Sequence, residues 1–407
     1  MLSAGRARAA ATSLACVFLA VLPFSSSVAL RNVAMALAGI SGITWLVKRG
    51  GNWRSAFPAA HILLPIACWT TWCLLSLAWS VDPSYSLTEL RPGLLPTLGA
   101  FLLFYGLTLD FADLDRWAWS LAAGLAVLAL AAIAQHLLLG RWDPTRWHVD
   151  GGYYATHVVL AAPMLVWLWL RQAARAAWVR PALLATAIAT TIATYWADNR
   201  IVWIALAVMT IAAAAMSARG GGAAARRRAV VVTLVTVAFA AGLFALAHQQ
   251  RNEILHSRGG EGAQLVTDPR LAIWPFALER IAEKPLIGHG YGRGILRDTM
   301  RTAGAAPDNP LHWHAHDLFL NVALQVGLVG LALFLWMWGV MARELVGLMR
   351  EAPPRRWLAI LGFALLAGYT VKNLTDDFHV RHIALLAYSL AGALIALARA
   401  PRSTGRP

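Results

Sequence analysis

Three groups of residues in this chain have types and spacings suited to chemistry. The first is His312-Trp313-His314-Ala315-His316-Asp317, directly ahead of an apolar run that begins at Leu318. Histidines at alternate positions fall on one side of an extended strand and suit a metal such as zinc. In a second reading Asp317 caps a helix starting at Leu318, whose positive end keeps His316 neutral and able to take a proton as a general base. Ordinary surface histidines are the third reading.

The second group is a pair of arginines. Arg200 stands in the short turn Asp198-Asn199-Arg200 between two apolar runs, where a guanidinium at a membrane interface is expensive unless it serves a function. Pairing with Asp198 and snorkelling to headgroups are the structural alternatives. Arg270 follows Asp268-Pro269, an N-cap and first-turn proline. A cation there opposes the helix dipole, but free N–H groups and a guanidinium fork together cradle an anion; an exposed arginine without a role is the competing reading. That helix is expected to run about four turns to Pro285 along the membrane surface, with Leu271, Trp274, Leu278 and Ile281 on one face.

The third group is Gly288-His289-Gly290-Tyr291-Gly292-Arg293-Gly294, with glycine at every second position. It reads either as backbone that approaches a ligand closely or as a flexible connector. Without a strand before it or a clear helix after it, it is no dinucleotide fingerprint.

The elements that must hold these groups are membrane helices. Of 407 residues, 59% are apolar and 14% charged, against roughly 45–50% and 25% in soluble domains. Long continuous apolar runs exclude disorder and an alternating β-barrel pattern. Runs near the length needed to cross a bilayer are expected at residues 9–30, 33–47, 57–80, 94–109, 117–139, 155–170, 181–197, 201–218, 229–247, 318–342, 357–371 and 383–398. The formal charge of +15 comes almost wholly from arginine in short loops, which points to anionic lipid and away from nucleic acid. With the N-terminus inside, inside segments hold 20 basic residues and short outside loops hold seven: Arg31, Arg91, Arg141, Arg146, Arg200, Lys372 and Arg381. Both ends then lie inside. Arg6 and Arg8 before an apolar run also fit a signal peptide, but no A-x-A site follows and the charge pattern works with the segment retained. Cys16, Cys68 and Cys73 lie in apolar runs and read as small buried hydrophobes. The organisation is therefore helices over residues 1–247, a long outside loop over 248–315 of mixed charge, and helices over 316–407.

Together, Arg200, the run Arg270 to Ala277 with Trp274, Pro285-Leu-Ile-Gly288-His-Gly290, His316-Asp317-Leu-Phe-Leu320 and Gly327-Leu-Val-Gly330 resemble the O-antigen ligase and polymerase superfamily of bacterial inner membranes. The resemblance covers chiefly residues 198–330. It implies an all-α, membrane-embedded (GT-C-like) glycosyltransferase that needs no metal or other cofactor. The donor would be an undecaprenyl-diphosphate-linked O-antigen polysaccharide and the acceptor the lipid A core, on the periplasmic side. Carried over by motif, Arg200 and Arg270 bind the diphosphate and His316 is the base, with His314, Trp274, Tyr291 and Arg293 as neighbours that bind substrate. Asp317 departs from the Asn that many relatives have after the motif histidine, leaving capping and orientation of His316 as its roles. The compact form looks most like a ligase; a polymerase or a protein O-oligosaccharyltransferase are the alternatives within the family. A flippase of lipid-linked sugars is the alternative outside it, and it would call for charges deep within several helices.

Overall fold

The computed structural model describes residues 3–50, 56–143, 150–172, 176–219, 221–258, 269–302 and 313–400, which form fifteen α-helices and no strand. In chain order they are α1 (Ala4–Val21), α2 (Val28–Arg49), α3 (Ala60–Leu75), α4 (Pro83–Gly93), α5 (Leu95–Leu107), α6 (Phe111–Leu139), α7 (Gly151–Gln172) and α8 (Val179–Trp196). There follow α9 (Ile201–Ala218), α10 (Ala223–Arg258), α11 (Pro269–Glu283), α12 (Ile295–Thr302), α13 (Leu318–Val346), α14 (Arg355–Asn373) and α15 (Arg381–Arg399). Each expected crossing after the first falls on one of these helices. Ten spans are long and apolar enough to cross a membrane, with α4 and α5 counted as one. The other two expected crossings are α8, which contains Arg180 and Pro181, and α14, which contains Arg355, Arg356 and Lys372. The chain is a multi-pass membrane protein.

Local sequence sets the helix ends. Asp110 caps α6 by accepting from the N–H groups of Ala112 and Asp113 (2.9 and 3.0 Å), and Gly140 closes it in the left-handed conformation. Asp82 caps α4 with Pro83 in its first turn. The first expected crossing, drawn to Leu30, is instead broken between Val21 and Val28 around Pro23, which cannot continue a helix. Hydropathy does not see a break inside an apolar run. Arg31 consequently sits in the first turn of α2, not in a loop. Helices also extend past the expected spans and take charges with them: Asp113 and Asp115 on α6 and Lys372 on α14 are buried, each just beyond the end of an expected crossing.

In lipid the hydrophobic effect gives no drive for helices to associate, so close packing has to do so. α15 lies at the centre, buried from His382 to Leu397, and packs on α5 and α13. A Cβ at Gly392 would collide with the Phe101 carbonyl, so the small residue sets how closely α5 and α15 approach. At the periphery α10 exposes apolar side chains on several sides, among them Val230, Leu234, Val235 and Phe239. It packs chiefly on α9, which in turn packs on α14.

Candidate active site

α13 is the element that presents the histidines. Asp317 caps it, its Oδ1 accepting from the Leu320 N–H at 2.8 Å, so the expected capping role holds. One residue earlier, His316 has φ +50°, a left-handed conformation uncommon outside glycine and concentrated at functional sites. Two neighbours enforce that elbow. The Ala315 carbonyl accepts from Trp274 Nε1 on α11 (2.9 Å), and the Ala315 N–H reaches Asn321 Oδ1 on α13 (3.5 Å). His312 and Asp268 lie outside the described residues.

The loop between α14 and α15 supplies the counter-charges. His316 Nδ1 lies 3.2 Å from Asp376 Oδ1. A carboxylate only accepts, so Nδ1 carries the hydrogen and Nε2 is the nitrogen with a lone pair. His314 Nδ1 accepts from the His316 N–H at 3.1 Å, which puts its proton on Nε2, 3.6 Å from Asp376 Oδ1. Burial and then the Arg293 charge push His314 far below the ordinary imidazole range, so it is neutral. Burial works to raise the Asp376 carboxyl, but the His316 hydrogen bond and nearby Arg293, 3.7 Å away, outweigh it and hold Asp376 well below the usual carboxylate range. Asp377 goes the other way: burial raises it, against Arg293 and a 2.7 Å bond from Asn321 Nδ2.

Two imidazoles and a carboxylate, with ligating atoms all within 4.8 Å of one another, form a donor set that divalent metals use. Here the same atoms satisfy one another. A metal on His314 Nε2 would require its proton to move to Nδ1, which already accepts from the His316 backbone, and Arg293 competes for the carboxylate.

Arg293 is a strut. It donates to the Tyr153 hydroxyl (3.0 Å) and to the Asp377 carbonyl (2.8 Å), tying the glycine run to α7 and to the α14–α15 loop. Arg270, in the first turn of α11, lies within electrostatic reach of His314 and of Lys372. Arg200 ends the turn before α9, where NH1 donates to His248 Nδ1 at 2.6 Å and the guanidinium lies over Phe244, both on α10. Its neighbour Asn199 accepts from Lys372 Nζ at 2.8 Å, which links the Arg200 turn to the charges around Asp376. Tyr291 stands across a cavity of about 310 Å³ that Arg293, His314 and Asp377 also line. The structure thus gathers His316, His314, Trp274, Arg293 and Arg270, with Arg200 and Tyr291 at the margins. The sequence reading did not select Asp376, Lys372 or Asn321. Lys372 did carry a signal, as a cation at the outside end of an apolar run.

Two expectations about the supporting segments are corrected. α11 does turn from Pro269 to Glu283, but the face it buries is centred on Ile273 and Ala277, packed with Ile295, Leu296 and Leu324; of the expected face Ile281 packs against this cluster, whereas Leu278 is exposed. Exposure depends on which partner the helix docks against, and that is not local information. The glycine run is no flexible connector. His289 and Gly290 N–H donate to the Leu324 and Gln325 carbonyls (3.0 and 2.8 Å), and Leu328 N–H donates to Pro285 O (2.7 Å). The fit requires a break in α13 at Gly327 (φ +72°), where a Cβ would strike the Leu286 carbonyl, and Gly290 at φ +113° against Ser80. A helix does follow the run: α12 starts at Ile295, too short for a periodicity window to register.

A family model described as O-antigen ligase matches residues 184–335, from α8 into α13. A curated Rickettsia bellii protein named "Putative polysaccharide ligase" is 35% identical over 89 residues, which cover 20% of this chain and 22% of that one. Proteins of the same name from Rickettsia felis (33% over 79 residues, 17% and 19%) and Rickettsia typhi (36% over 70 residues, 16% and 17%) match as well. The matched stretches span about a fifth of these relatives' length.

Proposed function

We propose, from the match of residues 184–335 to a family model described as O-antigen ligase, that this chain is an O-antigen ligase of the bacterial inner membrane. It moves polysaccharide from undecaprenyl diphosphate to a hydroxyl of the lipid A core. The observation that carries this reading is the His316–Asp376 pair at 3.2 Å ahead of α13. A base oriented through one ring nitrogen by a carboxylate presents the other to a hydroxyl proton.

In this reading the acceptor oxygen attacks the anomeric carbon while His316 Nε2 takes its proton. The new glycosidic C–O bond forms as the bond to the diphosphate oxygen breaks, and undecaprenyl diphosphate leaves from the opposite face, which inverts the configuration. Asp376 balances the imidazolium that forms. Arg200 and Arg270 hold the diphosphate and take up the charge released on it, the role that a divalent cation fills elsewhere, so no metal is required. Trp274 fixes the histidine elbow, and His314, Tyr291 and Arg293 border the substrates. In the same reading the segment over 248–315 faces the periplasm and both termini the cytoplasm.

The test uses purified protein, lipid-linked O-antigen and rough lipopolysaccharide in EDTA, read as a ladder of capped lipopolysaccharide. Wild type is expected to give the ladder. His316→Ala should lose about 10³-fold or more of the rate while still binding the donor. Normal turnover by His316→Ala removes the base assignment. A wild type that binds donor but extends only lipid-linked chains is a polymerase.

A further inference from the structure

Arg31 is the one arginine in the fully buried class among the described residues, with 7% of its surface exposed. Its Nε is buried with no hydrogen-bond partner, and among the described residues its guanidinium makes no ion pair. The charge within its reach is another cation, Arg381, which opens α15 with φ +44° and lines the 310 Å³ cavity. Both arginines sit in the first turn of a helix whose start has no side-chain cap: Ser27 makes none for α2 and Val380 none for α15. Two guanidiniums in the first turns of uncapped helices thus stand within electrostatic reach of one another, and Arg31 has no acid paired with it among the described residues.

An uncompensated buried cation is strongly unfavourable, and in a membrane protein such a charge marks a ligand site. Guanidiniums bind tetrahedral oxyanions through paired N–H groups, and bare helix starts add N–H donors and a favourable dipole. Arg381 joins this cation pair to the cavity. The remaining walls of that cavity mix aliphatic residues such as Leu318 and Val322 with aromatic and polar ones, Tyr85, Trp313 and Glu89 among them, the combination that takes the apolar face and the hydroxyls of a sugar ring. We propose that Arg31 and Arg381 form a phosphate site that anchors a phosphorylated glycolipid, with the phosphate on the two arginines and the adjoining sugar in the cavity. The site is separate from the Arg200 and Arg270 pair. That its occupant is the acceptor of transfer rests on the ligase reading; the phosphate site itself does not.

The test is binding by the full chain in phosphatidylcholine nanodiscs, with rough lipopolysaccharide before and after phosphatase treatment, phosphatidylglycerol, and undecaprenyl diphosphate as ligands. Wild type should bind the phosphorylated glycolipid about tenfold or more tightly than the treated one, since a charge-assisted contact is lost. Arg31→Gln and Arg381→Gln should each erase most of that difference and leave undecaprenyl diphosphate binding unchanged. Arg381 is exposed, so its variant keeps the test open should Arg31→Gln fold poorly. The proposal is overturned if both variants retain the phosphate preference, or if phosphatidylglycerol competes as well as the phosphorylated glycolipid. Failure of wild type to bind undecaprenyl diphosphate would remove the ligase reading and leave the phosphate result standing.

Discussion

Asp113 and Asp115 on α6 and Asp376 and Asp377 between α14 and α15 are two close pairs of acids beside arginine, and they are held in opposite ways. Asp113 accepts from Arg8 (2.8 Å), Arg116 (2.5 Å) and the Leu109 N–H (2.9 Å). Asp115 accepts from Trp167 (2.8 Å), Gln172 (2.5 Å) and both arms of Arg171 (3.2 Å each). Those donors cannot give up a proton under any ordinary condition, and they rivet α1 and α7 to α6. Asp376 instead meets His316 at 3.2 Å, with His314 and Arg293 farther off at 3.6 and 3.7 Å. Its nearest side-chain partner is an imidazole, so a proton has somewhere to go. What separates a fastening from the proposed reactive centre in this protein is the kind of donor around the acid more than the depth of its burial.

Exchanging one acid of each pair for its amide should break the comparison if it is wrong. Asp376→Asn is expected to lower turnover about 10²-fold in a protein that melts normally, because the amide no longer steers His316 or balances its charge. Asp115→Asn should lose about 3 kcal/mol or more of stability, leaving Arg171 uncompensated, with turnover per folded molecule unchanged. Melting curves beside single-turnover rates decide it: an unstable Asp376→Asn, or a stable but inactive Asp115→Asn, would erase the distinction. Arg270→Ala should raise the donor KM about tenfold, with a smaller change in kcat, if this arginine serves the diphosphate. Equal loss with a donor analogue lacking the diphosphate would show that it serves the histidine elbow instead.

The smallest expected effect is on pH. Because burial and Arg293 keep His314 neutral in the folded protein, the unfolded chain takes up a proton there that the native state refuses. Below about pH 6.5 that difference favours unfolding, so stability should fall as pH falls, by up to about 2 kcal/mol at pH 5. Melting temperatures of wild type and His314→Gln between pH 5 and 7 measure it, and the variant should show the weaker slope.

The helices and the place of His316 just ahead of α13 could be read from sequence because hydropathy and capping act locally: Asp317 announces the start of α13 within four residues. Asp376 could not be chosen, since it lies 60 positions from His316 and nothing in Thr375-Asp376-Asp377 says which way the loop folds. The break at Pro23 hid in an apolar run, which concealed that Arg31 belongs to a helix. α12 was too short to see, and the buried face of α11 was set by Leu324 on another helix.

The joint between the glycine run and α13 also bears on time. A segment with glycine at alternate positions would ordinarily exchange its amide hydrogens with solvent as fast as a free peptide. Here the His289, Gly290 and Leu328 amides donate to carbonyls across the joint, so deuterium should enter them at the pace of the neighbouring helix. The segment and α13 then open as one cooperative unit. A slow breathing of that helix reaches Arg293, and through it Asp376, the carboxylate that meets His316.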